Sequence, residues 1–156
     1  MHNQWLLSDA PTLRSGTPQS QALSVLMAPE LWKGFFESCC EVMGESSHVA
    51  IRSDNWCSWT TYDRLTLDAG YWSSGLPGAD EIGDVGIGDG GIWKQPFSYS
   101  QIAHLIVPRK FYWEMFEAGK FRDGVKEQPL ETLARSLVEK DIPHRLTDLV
   151  LEIKCY

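Results

Sequence analysis

Seven glycines and a proline fall between Ser73 and Gly91, in the stretch SSGLPGADEIGDVGIGDGG. No long helix or regular strand is expected to run through it, because glycine loses the most backbone freedom on ordering and proline removes a donor. The stretch is expected as a long loop, or as a hairpin with irregular ends, and loops of this length are usually functional or mobile. It is also where the charge concentrates. No positive side chain lies between Arg64 and Lys94, yet Asp68, Asp80, Glu81, Asp84 and Asp89 do, with Trp93 close behind. Carboxylates this close repel one another, so a metal, a basic partner or a need for solubility must account for them.

A chain of 156 residues is one domain of ordinary size. With 43% apolar and 22% charged residues it has the composition of a globular protein and can build a core without disulfides or metals. Its apolar runs are too short to span a bilayer. The start MHNQWLLSDAP lacks a basic end and a sustained apolar run, so no signal peptide is expected. Cys39, Cys40, Cys57 and Cys155 have no CxxC spacing and read as reduced structural thiols, in keeping with a cytoplasmic address. The net charge of −7 is uneven. Residues 1–107 hold 12 acids and 5 bases, whereas residues 108–156 hold 9 of each. Phosphate binding needs a basic face, which argues against nucleic acid as a ligand; a concentrated negative patch suits a basic protein.

Residues 1–28, with Pro11, Gly16, Thr17 and Pro18, read as a loosely held arm, with Trp5, Leu6 and Leu7 tacked onto the body. Residues 29–156 read as a single α+β domain. Pro29 opens a helix whose Trp32, Phe35, Phe36, Cys39 and Met43 recur at steps of three and four, and Gly44 stops it. His48 to Ser53, Cys57 to Tyr62 and Leu65 to Tyr71 are β-prone runs between turn residues, which predict an antiparallel meander. Ile102 to Val107 predicts a buried strand ended by Pro108. Arg109 to Lys120 fits either a short helix or more sheet. PLETLARSLVEK, residues 129–140, predicts a helix with a Leu130, Leu133, Ala134, Leu137 and Val138 stripe and a Glu131–Arg135 pair. Leu149, Leu151, Ile153 and Cys155 form one face of a closing strand, alternating with Val150, Glu152, Lys154 and Tyr156. The order predicts an antiparallel or mixed sheet packed against two or three helices.

The chemical motifs are thin. GIGDGG, residues 86–91, matches G-x-G-x-x-G, but Ile92, Trp93, Lys94, Gln95 and Pro96 follow, and a dinucleotide fingerprint needs a helix there. The loop acids offer oxygen ligands, although their spacing fits no EF-hand. His2, His48, His104 and His144 form no zinc pattern, and His104 within IAHLIV reads as a satisfied sheet histidine. Cys57 beside His48 or His104 carries no cysteine-enzyme signature. No cofactor is expected. Tyr71, Trp72 and Trp93 cluster in sequence with Asp80, Glu81, Asp84 and Asp89, and aromatics beside acids suit a protein interface.

The helix PLETLARSLVEK followed by IPHRLTDLVLEIKCY is similar in character to the closing helix–strand unit of bacterial domains found beside interbacterial toxins. The chain as a whole resembles the small acidic immunity proteins of those systems. That resemblance implies a compact, cytosolic, metal-free α+β domain that binds and blocks a cognate toxin, and it assigns no residue a role. The expected function is non-enzymatic: the acidic, aromatic loop occludes the active site of a basic toxin. The alternatives are a small hydrolase or metal-dependent enzyme using loop carboxylates with His48 or His104, and a structural protein self-associating through a strand edge.

Overall fold

Pro29 opens α1 (Pro29–Val42) in the computed structural model, which describes residues 27–156. The arm expected over residues 1–28 lies outside the described residues as far as residue 26. Trp32, Phe35, Phe36 and Cys39 form the buried stripe of α1, and Gly44, at φ 80°, turns the chain out of the helix. The elements that follow are β1 (Cys57–Thr61), α2 (Tyr62–Leu67), β2 (Trp72–Ser74), β3 (Gly86–Ile87), β4 (Phe97–Ser98), β5 (Ile102–Pro108), β6 (Lys110–Glu117), β7 (Lys120–Glu127), α3 (Leu130–Glu139), β8 (Arg145–Leu146) and β9 (Val150–Lys154). Five strands form one sheet in the order β2-β1-β5-β9-β8, with every neighbouring pair antiparallel. β3 with β4 and β6 with β7 make two small separate sheets. The fold is therefore α+β, as the element order predicts.

The core lies between the sheet and α1 with α3. Leu105 and Val107 of β5, Leu151 and Ile153 of β9, and Leu130, Leu133 and Leu137 of α3 are buried together with the α1 stripe. Of the predicted alternate residues, β9 buries Leu151 and Ile153, Cys155 is buried just after the strand ends, and Leu149 precedes the strand and is exposed. The pair predicted within α3 does not form. Glu131 turns instead to Arg109, 2.7 Å away, which also donates to the carbonyls of Thr147 and Asp148.

Two predicted strands are corrected. His48 to Ser53 contains only a single 3₁₀ turn, Ala50–Arg52. Short polar side chains hold the backbone there: Ser53 Oγ accepts the Ser47 N–H at 3.0 Å, Ser47 Oγ accepts that of Val49, and Asp54 Oδ2 accepts that of Glu45. Such side-chain acceptors offer the backbone an alternative to a sheet ladder. Leu65 to Tyr71 is likewise no strand. Thr61 Oγ1 accepts the Arg64 N–H and caps α2, which runs to Leu67 before the chain turns at Ala69. The expected meander is consequently absent, and β1 sits between β2 and β5.

The ambiguous segment from Arg109 is strand β6, and it pairs along its whole length with β7, which sequence patterning did not separate. Phe111 stacks on Trp56 at 5.8 Å between centroids. At the root of this hairpin the buried Gln128 accepts the Trp56 N–H and donates to the carbonyls of Trp56 and Pro108. Lys126 Nζ adds two bonds of 2.8 Å to the carbonyls of Ile51 and Ser53. The hairpin tip is a two-residue turn with Ala118 at φ 51° and Gly119 at φ 74°. This is the geometry of a type I′ turn, in which both central residues are left-handed. Alanine is strained in that conformation. Ala118→Gly is therefore expected to stabilise the protein by about 0.5–1 kcal/mol, read as a higher urea midpoint with an unchanged slope.

Candidate protein-interaction surface

The acidic loop is ordered by one of its own carboxylates. Glu81 sits in a 3₁₀ turn (Ala79–Glu81), and its Oε2 accepts the Gly78 N–H while Oε1 accepts the Ile92 N–H, both at 2.7 Å. Its carbonyl takes the Gly88 N–H at 2.8 Å. A methyl group at Gly91 would overlap the Glu81 carboxylate, and one at Gly78 would press on it at 3.1 Å. These two glycines thus leave the room that lets an acid side chain fold back onto main-chain donors. Charge-assisted bonds of this kind are short and about twice as strong as neutral ones. Gly83 N–H bonds to the Gly86 carbonyl, Ile82 bridges Ile87, and Tyr99 fixes the far side through its hydroxyl to Gly83 O and its N–H to Val85 O.

The seven residues expected to meet a partner divide into several groups. Asp80, Asp84 and Asp89 are exposed. Asp84 forms a 2.6 Å ion pair with Lys33 of α1, which holds its carboxyl below the usual range and raises the lysine in turn. Both groups face solvent, so the pair adds little stability. Neither Asp80 nor Asp89 forms an ion pair among the described residues. Glu81 is spent on the loop backbone, as described above.

Trp93 is buried rather than presented outward. Its ring lies 3.7 Å from Trp59, nearly parallel, and meets Phe36 and Phe97 edge-on at 5.5 Å each. Its indole N–H donates to the Gly75 carbonyl at 3.0 Å. Trp72 is half-buried on the other side of Trp59, with the Arg64 guanidinium 4.1 Å above its ring. The column Arg64, Trp72, Trp59, Trp93 and Phe36 ties α2, β2, β1, the acidic loop and α1 together. An aromatic floor thus lies beneath the loop, and its acids lie on top.

Tyr71 belongs to a different cluster. Its hydroxyl is 2.9 Å from His104 Nδ1, and His104 Nε2 is 3.0 Å from Glu152 Oε2. Glu152 also faces Arg145 at 3.4 Å. His104 is buried and satisfied, as its setting in a strand predicts, and none of the loop acids bonds to it. Burial, followed by contact with Tyr156 and then the Glu152 charge, pushes the Tyr71 phenol up to about 12. Among the described residues no three His, Cys, Asp or Glu side chains come together as a metal site. Burial raises the pKa of Cys57 and Cys39, which keeps both as thiols.

A second surface combines rings and acids, and the sequence reading did not single it out. One face of the β6–β7 hairpin carries Tyr112, Glu114 and Phe116 directly opposite Val125, Asp123 and Phe121. All six are exposed. The signal available in the sequence was the mirrored spacing of these residues about Ala118-Gly119.

No helix among the described residues is long and apolar enough to cross a membrane. No family model, curated protein or solved structure matches the chain.

Proposed function

We propose that this protein is a non-enzymatic inhibitor that binds a basic protein, a toxin of the interbacterial kind, and occludes its active site with the loop of residues 76–92. The observation that carries the reading is that Asp80, Asp84 and Asp89 stand outward on a backbone that Glu81 holds from within. A preorganised acidic loop spends less free energy on ordering when it binds, and its charge takes the place of the toxin's anionic substrate. The net charge of −7 steers a cationic partner toward it. The cytoplasm is the address that goes with such a role.

The test begins with the immobilised chain as bait in a native bacterial lysate, followed by mass spectrometry and purification of the captured protein. Association of that partner should slow by about tenfold or more between 50 mM and 500 mM salt. The Asp84→Lys/Asp89→Lys variant should show a similar loss at low salt. Unchanged association kinetics in this variant would remove the loop from the interface.

A rival reading, a small hydrolase, rests not on the loop carboxylates expected with His48 or His104 but on the Tyr71–His104–Glu152 line, in which a hydroxyl, an imidazole and a carboxylate follow one another at hydrogen-bond distance. No recognised hydrolase signature accompanies this line in the sequence and none of the loop acids bonds to it, so the binding reading is the better supported of the two. Ester turnover that disappears in Tyr71→Phe while folding is retained would reverse that order.

A further inference from the structure

The outer face of the β6–β7 hairpin carries, beyond a Lys110–Glu127 row at its root, three further cross-strand rows. Tyr112 faces Val125, Glu114 faces Asp123, and Phe116 faces Phe121. Successive rows are two residues apart along each strand, or about 6.8 Å. The apolar members are far more open than a folded hairpin requires: Tyr112 is 52% exposed, Phe116 75%, Phe121 57% and Val125 61%. The opposite face of the hairpin does the structural work. There Phe111 stacks on Trp56, Trp113 lies against Gly124, and Lys126 is tethered to the carbonyls of Ile51 and Ser53.

The middle row is the informative one. Two carboxylates directly opposite each other across a strand pair destabilise it. No lysine, arginine or histidine among the described residues forms an ion pair with either of them. Among the described residues their one polar side-chain contact is the Tyr112 hydroxyl, which lies 3.3 Å from Glu114 Oε2 and 3.2 Å from Asp123 Oδ2. Lys120, Arg122 and Lys126 sit on the other face, where Arg122 approaches Glu117 at 3.8 Å and Met115 Sδ, and Lys110, on this face, lies at the hairpin root two rows from the acids, opposite Glu127. Apolar rings therefore flank an uncompensated pair of negative charges on an open sheet face. A second copy of the chain is a poor occupant, because a two-fold contact would bring four carboxylates together in the middle.

We propose that this face docks a basic protein segment that sets one arginine or lysine between Glu114 and Asp123 and an apolar side chain on the row at either end. In an extended segment, residues i, i+2 and i+4 project to one side with the same spacing as the rows. The recognised pattern is thus apolar-x-Arg/Lys-x-apolar. Arginine fits best, since its fork serves two carboxylates at once and its plane stacks on rings. The proposal shares with the preceding reading only the class of partner, and it uses none of the loop residues.

The probe is the peptide acetyl-Leu-Thr-Arg-Thr-Leu-amide, titrated into the ¹⁵N-labelled full chain and followed by amide chemical shifts. Shifts are expected at residues 112–116 and 121–125, with the amides of residues 80–89 unmoved. Glu114→Gln/Asp123→Asn should weaken binding about tenfold, as should citrulline in place of arginine. The same double substitution should bring the Tyr112 phenol, now pushed up to about 12 by partial burial and then by the Asp123 and Glu114 charges, back toward 10. Amide shifts of the free variant that match wild type at Trp56, Phe111 and Gln128 confirm that it keeps the hairpin geometry. Shifts confined to residues 80–89 would overturn the hairpin proposal and leave the loop reading standing. Hairpin shifts insensitive to the double substitution, no binding at all, or concentration-dependent dimerisation through this face would each overturn it as well.

Discussion

Trp93→Ala should cost about 3–5 kcal/mol of folding stability, the range for emptying a buried aromatic site. The ring is 4% exposed and touches aromatic side chains from three other segments: Phe36 of α1, Trp59 of β1 and Phe97 of β4. Truncation would open a cavity bounded by those rings, and rigid rings collapse poorly into one. It would also leave the Gly75 carbonyl without the indole N–H it now accepts. Trp93→Phe keeps a ring against Trp59 and loses only the bond and part of the volume, so it should cost roughly half as much. Urea unfolding followed by far-ultraviolet circular dichroism checks both, with the midpoint falling in that order. The result also bears on function. Trp93 is expected to contact a partner if sequence proximity to the acids is the guide, whereas its burial makes it part of the support. Partner binding by Trp93→Phe under fully folded conditions should therefore be close to wild type. A large loss there would mean that the ring swings out on binding.

The two main helices were legible because their pattern is local. Pro29 and Pro129 mark the starts, and the stripes of Trp32, Phe35 and Phe36 and of Leu130, Leu133 and Leu137 follow the helical period onto the core. β9 was legible for the same reason at period two. What misled was side-chain competition for the backbone. Ser47, Ser53, Asp54 and Thr61 take N–H groups that β-prone neighbours would otherwise give to a ladder, so residues 48–53 and 65–71 are not strands. The β6–β7 hairpin hid because it has aromatics on both faces. Phe111 is buried and Trp113 and Met115 half-buried on one face while Tyr112 and Phe116 face water on the other, which erases the alternation that identifies a half-buried strand. At the loop, counting charges shows that four acids lie close together but not that Glu81 is bonded to the main chain. Only Gly78 and Gly91 hint at it, through the space a side chain would have taken.

The loop acids should accordingly separate into one that holds the structure and three that do not. Glu81→Gln preserves shape but presents one acceptor and one NH₂ group to two backbone donors, at Gly78 and Ile92. One of those donors is then faced by another donor, and the expected cost is about 1–3 kcal/mol. Glu81→Ala abandons both donors and should cost more, about 2–4 kcal/mol. Gly91→Ala reaches the same defect without changing charge, because its methyl group displaces the carboxylate. All three should lower the urea midpoint and speed amide hydrogen exchange at residues 78–92. Asp80→Asn/Asp89→Asn, which removes two exposed and unpaired charges, should leave the midpoint within about 0.5 kcal/mol of wild type and slow association with a cationic partner instead. The charge-neutral Gly91→Ala is decisive between mechanisms. If it weakens the partner's association while keeping every carboxylate, then loop order itself carries binding. If Glu81→Gln leaves stability and exchange untouched yet slows association, then Glu81 is a surface ligand and the internal clamp is wrong.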